Sequence, residues 1–390
     1  MITHQHWRLP EGVDELLPPA AWELEQVRRR VLDVFRSWGF DYVDPPVIEY
    51  LDALLVGTGT DMDLQTLKVV DQRTGRMLGV RADMTSQAAR IDAHSLPVEG
   101  VQRLCYAGPV VHANPAVVLD TRVPLKAGAE IFGSESLEAD AEVIALLVGV
   151  LRALGVEALV LVLGHMGIYQ GLVEPMELRS EQQQALFSAV QSKSETDIAE
   201  ILGVRAGADQ VARLPTLMGR RSVLDDARKA LAESPAAVGA ALNALDTLAD
   251  LVASRCPEVE LRFDLAELAG YGYHNGPVFS AFQLHHGSAI ARGGRYDGIG
   301  AAFGRARPAT GFDISLKQLL HRGLAAEGAI WAPWVGADAE GRTRLLAAQK
   351  NLRSGGEIVV AALSQHEQPP ARCDRILTEV DGVWSVRPLT

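Results

Sequence analysis

Two carboxylates, Asp83 in "VRADMT" and Glu130 in "GAEIFG", lie within or beside otherwise apolar, strand-like runs. A buried carboxylate is costly unless a cation or several donors face it, so each predicts a partner. On pattern alone a structural ion pair with Arg81 or Lys126 is the plain reading, and several hydrogen-bond donors are the alternative. Other candidate chemistry is weaker. His285 and His286 are sequence neighbours, and neighbours on a strand point to opposite faces. With no third ligand spaced nearby, no metal is expected there. The glycine-rich run "HGSAIARGGRYDGIGAAFGRARPATGFD" contains neither G-x-x-x-x-G-K-[ST] nor a strand-to-helix G-x-G-x-x-G, and reads as tight turns with close backbone packing. "FGSES" lacks the spacing of a nucleophile elbow, which argues against a serine hydrolase. No cofactor is implied.

The elements that must position the two carboxylates are legible in outline. In "AAWELEQVRRRVLDVFRSWGF", Leu24, Val27, Val31, Val34, Phe35 and Trp38 recur at three- and four-residue intervals before Gly39, which predicts an amphipathic helix with a glycine stop. "DYVDPPVIEY" is extended, because its prolines cannot continue a helix. "LQTLKVVDQRTGRMLGVRADMT" reads as strand, turn at "RTG", strand, and "SQAARIDAHS" as helix. The runs "QRLCYA" and "LKAGAEIFGSE" then form two antiparallel strands joined by a loop at Gly108 to Pro115. Residues 141–164 are the one membrane-like stretch, but Arg152, Glu157 and Gly155 divide it into a helix and a strand, so it reads as core.

From about 176 to 256 the composition turns to Ala, Leu, Glu and Gln with helical periodicity, which predicts an all-helical insertion. Strands return at "LRFDLAELAG", "PVFSAFQLHH" and "SAIARGGRYDG", and "GFDISLKQLLHRGLAA" is expected to close this part as a helix. A small α/β extension is expected over 333–390, in which "TRLLAAQKNLRSGGEIVVAAL" gives one helix followed by one strand. The predicted class is α+β: a mixed, mainly antiparallel sheet flanked by helices, within a body spanning 1–325.

At 390 residues, 48% hydrophobic and 22% charged, the chain can bury a sizeable core. Its net charge of -12 disfavours nucleic acid as a partner, since neutralising phosphates supplies most of that affinity. Cys105, Cys256 and Cys373 are odd in number and far apart, which points to a reducing compartment such as the cytoplasm. The first residues show no basic-then-apolar signal pattern, and neither secretion nor a membrane partner is expected.

Several motifs, in this order, resemble the catalytic region of class II histidyl-tRNA synthetases. "PVIE" is similar to the first class II motif, "RADMT" to the family's substrate loop, and "LCYAGPVVHANP" with "KAGAEIFG" to the second motif. "GYGYHNGPVF" resembles the family's histidine-binding signature, and "GGRYDG" with "GFDISLKQL" its third motif. The resemblance covers roughly the first 325 residues and implies the class II fold.

The same resemblance implies that adenylate chemistry has been lost. Where the family places arginines for the ATP phosphates, this chain has His112 and Gln318; Asn114 replaces the glutamate near the adenine, and Ala269 stands for a further arginine. A neutral side chain cannot replace a bidentate guanidinium. No catalytic residue is therefore expected. The substrate pocket is better kept: Asp83, Glu130, Tyr273 and Tyr296 retain their types, while Lys126 replaces a glutamine and His274 a tyrosine. Histidine binding is implied at these six positions. Lys126 beside a cationic ligand is unfavourable unless it pairs with the ligand carboxylate or with Glu130.

The tail is too short for the synthetases' anticodon-binding domain. A synthetase-like core without the ATP arginines and with a short tail is similar to the regulatory subunits of ATP phosphoribosyltransferase. That likeness implies a hetero-oligomer with a short catalytic subunit, its activation, and feedback inhibition by histidine in histidine biosynthesis. It also implies a homodimer through the Pro46 region. A free-standing histidine sensor and a divergent synthetase remain the alternatives.

Overall fold

Residues 8–57, 60–114, 121–268, 273–284, 287–320, 328–336 and 338–389 are described by a computed structural model of the chain. The chain divides into two compact units, Met1–Gly323 and Leu324–Thr390.

In the first unit the strands are, in chain order, β1 (Asp41–Tyr42), β2 (Ile48–Tyr50), β3 (Leu67–Val70), β4 (Met77–Val80), β5 (Gln102–Pro109) and β6 (Leu125–Phe132). They continue with β7 (Leu159–His165), β8 (Met218–Gly219), β9 (Glu260–Asp264), β10 (Pro277–Gln283), β11 (Ala291–Arg295) and β12 (Ala309–Ser315). Nine of them form one sheet in the order β1-β5-β6-β12-β11-β10-β7-β9-β8. Pairing is antiparallel except where β1 meets β5 and β7 meets β9, so the sheet is mixed and mainly antiparallel. A smaller antiparallel sheet runs β2-β4-β3.

The first helix, Ala20–Ser37, buries Val27, Val31 and Phe35, the face its spacing predicts, and Gly39 follows at φ 78°. Helix Leu137–Ala153 is buried almost all round and carries the membrane-like run; Ser136 caps it by accepting from the Glu138 amide at 3.1 Å. Among the described residues the helix long and apolar enough to cross a membrane by composition is instead Ala236–Arg255. It lays Val238, Leu242, Leu245, Leu248 and Val252 against helices Leu137–Ala153 and Met166–Val173, which accounts for its apolar side as core.

Three expectations are corrected. The 176–256 insertion is helical apart from β8, which adds a two-residue edge to β9. "GFDISLKQLL" is not a helix: Ala309–Ser315 is a strand between β6 and β11, followed by a 3-10 turn over Leu316–Leu319. Apolar residues on both faces of a fully covered strand imitate a short buried helix, and period alone does not separate them.

The third concerns the tail. The helix and strand read from "TRLLAAQKNLRSGGEIVVAAL" are present, but the strand is one of four in a sheet that the sequence did not show: β13 (Ala329–Ala332), β14 (Val359–Ala361), β15 (Cys373–Val380) and β16 (Val383–Pro388), ordered β14-β13-β15-β16. β13 lies ahead of residue 333, the start expected for the extension. Ile330, Ala332, Leu345, Val359 and Leu377 form its core under helix Ala339–Ser354. The β15–β16 hairpin turns at Asp381–Gly382, both at positive φ. That Asp-Gly pair is a type I′ turn signal available in the sequence.

Candidate functional site

Glu130 lies on β6 between Leu104 of β5 and Gly311 of β12. A Cβ at 311 would coincide with the Glu130 carboxylate, and one at Gly128 would lie 2.5 Å from the Tyr106 ring. Two glycines thus open a furrow in one face of the sheet, into which Glu130 and Tyr106 lie down. Glu130 is 1% exposed. Its Oε1 accepts the Tyr106 hydroxyl at 2.8 Å and its Oε2 the Tyr296 hydroxyl at 2.5 Å. Tyr106 is also 3.0 Å from the Thr85 hydroxyl.

Tyr273 stacks on Tyr296 with ring centroids 5.1 Å apart, and His274 meets Tyr296 edge-on at 6.3 Å. The Tyr273 hydroxyl is buried without a hydrogen bond of ordinary geometry, although Thr85 is close enough to bear on its ionisation. Behind these polar groups Met84, Leu104, Tyr106, Phe132, Tyr296 and Ile299 form an apolar cluster.

This setting decides the charge of Glu130. Burial pushes its carboxyl up to about 8 against the lowering effect of the Tyr296 and Tyr106 hydroxyls, with Asp83 adding to the rise. The group is therefore predominantly protonated at neutral pH until a cation approaches.

Neither structural ion pair weighed for the carboxylates forms. Arg81 is buried and spends its guanidinium on backbone carbonyls, Nε to Pro109 at 2.9 Å and Nη1 to Pro45 at 2.5 Å. Lys126 pairs with Asp313 of β12 at 3.1 Å rather than with Glu130. Burial pulls the Lys126 ammonium down, but Asp313 and Asp83 outweigh it and the net shift is upward. Asp83, half-buried, accepts the Met84 amide at 2.7 Å and acts on both Lys126 and Glu130. The six pocket positions thus split into a Glu130 end with Tyr296, Tyr273 and His274, and a Lys126 end with Asp313; Asp83 influences both.

Of the positions standing for lost ATP contacts, His112 comes to this site. Its Nε2 is 3.1 Å from the Ala82 carbonyl, and burial, then Lys126, holds its imidazole below the usual range. Asn114 is exposed, its amide on the Leu64 carbonyl at 3.3 Å. Gln318 lies half-buried in the 3-10 turn after β12. Ala269 lies outside the described residues, as do His285 and His286. Among the described residues no group of three or more His, Cys, Asp or Glu is placed to hold a metal.

The sequence reading missed Tyr106, Thr85 and Asp313. Asp313 carries the signal that singled out Asp83 and Glu130, a carboxylate in an apolar strand, but its segment was read as a helix. Tyr106 and Thr85 have no such mark; they are found only through the pairing of β5 with β6.

Residues 12–319 match the family described as Histidyl-tRNA synthetase, and residues 327–387 match the ATP phosphoribosyltransferase subunit HisZ C-terminal domain. An ATP phosphoribosyltransferase regulatory subunit from Ectopseudomonas mendocina is 48% identical over the whole of both chains, and one from Teredinibacter turnerae 47%. A solved structure from Bacillus halodurans, titled as an ATP phosphoribosyltransferase regulatory subunit/histidyl-tRNA synthetase, is 25% identical with a TM-score of 0.80, covering 91% of this chain and 92% of that one. Histidyl-tRNA synthetase from Nostoc shares the fold at a TM-score of 0.77 and 18% identity, over 95% of this chain and 91% of its own. On a synthetase-like fold with a distinct C-terminal unit, and with full-length identity near one half, the chain belongs to the family of ATP phosphoribosyltransferase regulatory subunits.

Proposed function

We propose that this chain is the non-catalytic partner of a short ATP phosphoribosyltransferase catalytic subunit, that it activates that subunit in a hetero-oligomer, and that it makes the complex sensitive to histidine. The observation that carries the non-catalytic reading is His112. At the position implied for a phosphate-binding arginine stands an imidazole held neutral and engaged with the Ala82 carbonyl. It offers no guanidinium fork to a phosphate. The retained Glu130 end supports a pocket for the histidine imidazole, and Asp83 a site for its α-ammonium.

Co-expression with a short catalytic subunit is expected to recover both chains together by affinity capture of either, with phosphoribosyl transfer faster in the complex than in the short chain alone. Histidine-dependent ATP–pyrophosphate exchange is expected to stay at background. Exchange above background would instead establish a divergent synthetase, and failure to co-purify would leave a free-standing sensor.

The homodimer belongs to the same proposal. Ile48 and Tyr50 of the "PVIEY" segment are 54% and 37% exposed, and Val69, which register places on the same face of the small sheet, is 46% exposed. Exposed apolar side chains sharing one sheet face support reading it as the association surface. Sedimentation at micromolar concentration is expected to show a dimer, and Ile48→Asp to shift it toward monomer. A wild-type chain sedimenting only as a monomer contradicts the assignment. With a net charge of -12, no nucleic-acid role is proposed.

A further inference from the structure

The cations at the far end of the pocket are not all accounted for. On β6, Lys126, Gly128 and Glu130 alternate with Ala127 and Ala129 and so share one face of the sheet. Gly128 is paired with Asp313 of β12, and Asp313 with Arg292 of β11. Directly paired residues project to the same side, which puts Lys126, Asp313, Arg292 and Glu130 on one face. Lys126 has Asp313 at 3.1 Å, and Arg292 is close enough to act on the Lys126 ammonium as a second cation. Arg292 itself is exposed and has no ion pair among the described residues.

Asp313 and Asp83 both act on Lys126, and once Asp83 is given over to the ligand's α-ammonium a single anion, Asp313, is left for two cations, while His112 contributes no charge. The surplus is a single positive charge facing the same furrow whose other end is the Glu130 carboxyl. Four residues of strand separate Lys126 from Glu130, about 13 Å between Cα atoms. Two side chains and one amino acid of ordinary size bridge that span. A doubly charged phosphate exceeds the surplus; one carboxylate matches it.

We infer that Lys126 and Arg292 form a carboxylate-reading end of the pocket, so that the ligand is selected as a zwitterionic amino acid lying with its cationic side chain toward Glu130. The inference rests on the histidine-pocket reading above and assigns specificity residues to it. The Lys126–Asp313 contact is the resting state of that end: an arriving carboxylate exchanges with Asp313 on Lys126 and takes Arg292 as its second donor. This resolves how a lysine is tolerated in a site for a cationic ligand. It reads the opposite end of the molecule.

Calorimetric titration of the full chain with histidine and with histamine, which lacks only the carboxylate, tests this. The wild type is expected to bind histidine about ten-fold or more tightly than histamine. Lys126→Met and Arg292→Gln are each expected to shrink that ratio several-fold, by weakening histidine and not histamine. Arg292 is exposed and unpaired, so its variant folds even if Lys126→Met, which strands Asp313, does not. Equal affinities in the wild type, or a ratio undiminished in Arg292→Gln, overturn the carboxylate end but leave the pocket standing. Binding of neither compound overturns the pocket itself, and this assignment with it.

Discussion

Replacing Asp140 with alanine is expected to cost about 2–4 kcal/mol of folding stability, because it takes the nearer of two carboxylates from a buried guanidinium. Arg295 closes β11 with 7% of its side chain exposed, against 1% for Asp140. Its Nη2 and Nε reach Asp140 Oδ2 at 2.6 and 3.2 Å, and Nη1 donates to the Ser134 carbonyl at 2.8 Å. A further bond from Nη2 to the Ser136 carbonyl, 3.1 Å, ties the same guanidinium to the start of helix Leu137–Ala153. Two carbonyl contacts do not neutralise it, and the other carboxylate in reach, Asp297 at 3.5 Å from Nη1, is farther away and about a third exposed, so it compensates only in part. Since Tyr296 is the next residue and donates to Glu130, the damage extends to the pocket. Removing both charges together, Asp140→Ala with Arg295→Met, is expected to recover at least half of the loss despite the additional substitution. Urea unfolding of the wild type, both singles and the double variant measures the coupling. A single-variant loss below about 1 kcal/mol, or a double variant as unstable as the sum of the singles, would show that the pair is solvated in the folded state.

Glu130 was legible as a residue in need of a partner, and its partner was not. The signal for burial is local: one carboxylate among Ala127, Ala129 and Ile131 in a strand-like run. Its partners come from β5 and from the residue after β11, and the pairing that brings them is long-range and fixed by register. The sequence also offered two nearby cations, and both are committed elsewhere, Arg81 to carbonyls and Lys126 to Asp313. The motif resemblance places Tyr296 in the same pocket, but nothing in the local sequence of Tyr106 or Tyr296 marks either hydroxyl as a partner of Glu130.

The first helix and the strand-turn-strand over Leu67–Val80 were readable because period and turn chemistry agree there. β12 was not, since its apolar residues face both ways, and the tail sheet was not, since "AIWA" is too short to show a period. The motif resemblance, by contrast, spans the length of the first unit and identified the family where periodicity stopped at a fold class.

The stability of the chain is expected to fall as pH rises from about 4.5 to about 8, through Glu130. Its carboxyl has an ordinary value near 4.5 in the unfolded chain and about 8 in the folded one. Between those values the folded state holds a proton that the unfolded state has lost, so raising pH favours unfolding by about 1.4 kcal/mol per pH unit from this group. The contribution is complete below 4.5, declines through the window and is exhausted above 8. Glutamine reproduces the protonated form, with one acceptor and one donor for the hydroxyls of Tyr106 and Tyr296, and cannot ionise.

Glu130→Gln should therefore match the wild type to within about 1 kcal/mol at pH 4.5 and become progressively the more stable of the two toward pH 8. The comparison cancels every other titrating group, which both proteins share. The same proton sets what histidine meets: a protonated carboxyl can hand its proton to a neutral imidazole and face the resulting imidazolium as a carboxylate, whereas the amide can only hydrogen-bond. The variant that gains stability at pH 8 should accordingly lose about ten-fold in histidine affinity at pH 7. Urea titrations of the two proteins at pH 4.5, 6 and 8 decide the first point. Parallel stability profiles would mean that Glu130 is ionised in the folded state, and that the two tyrosines hold a charge rather than a proton.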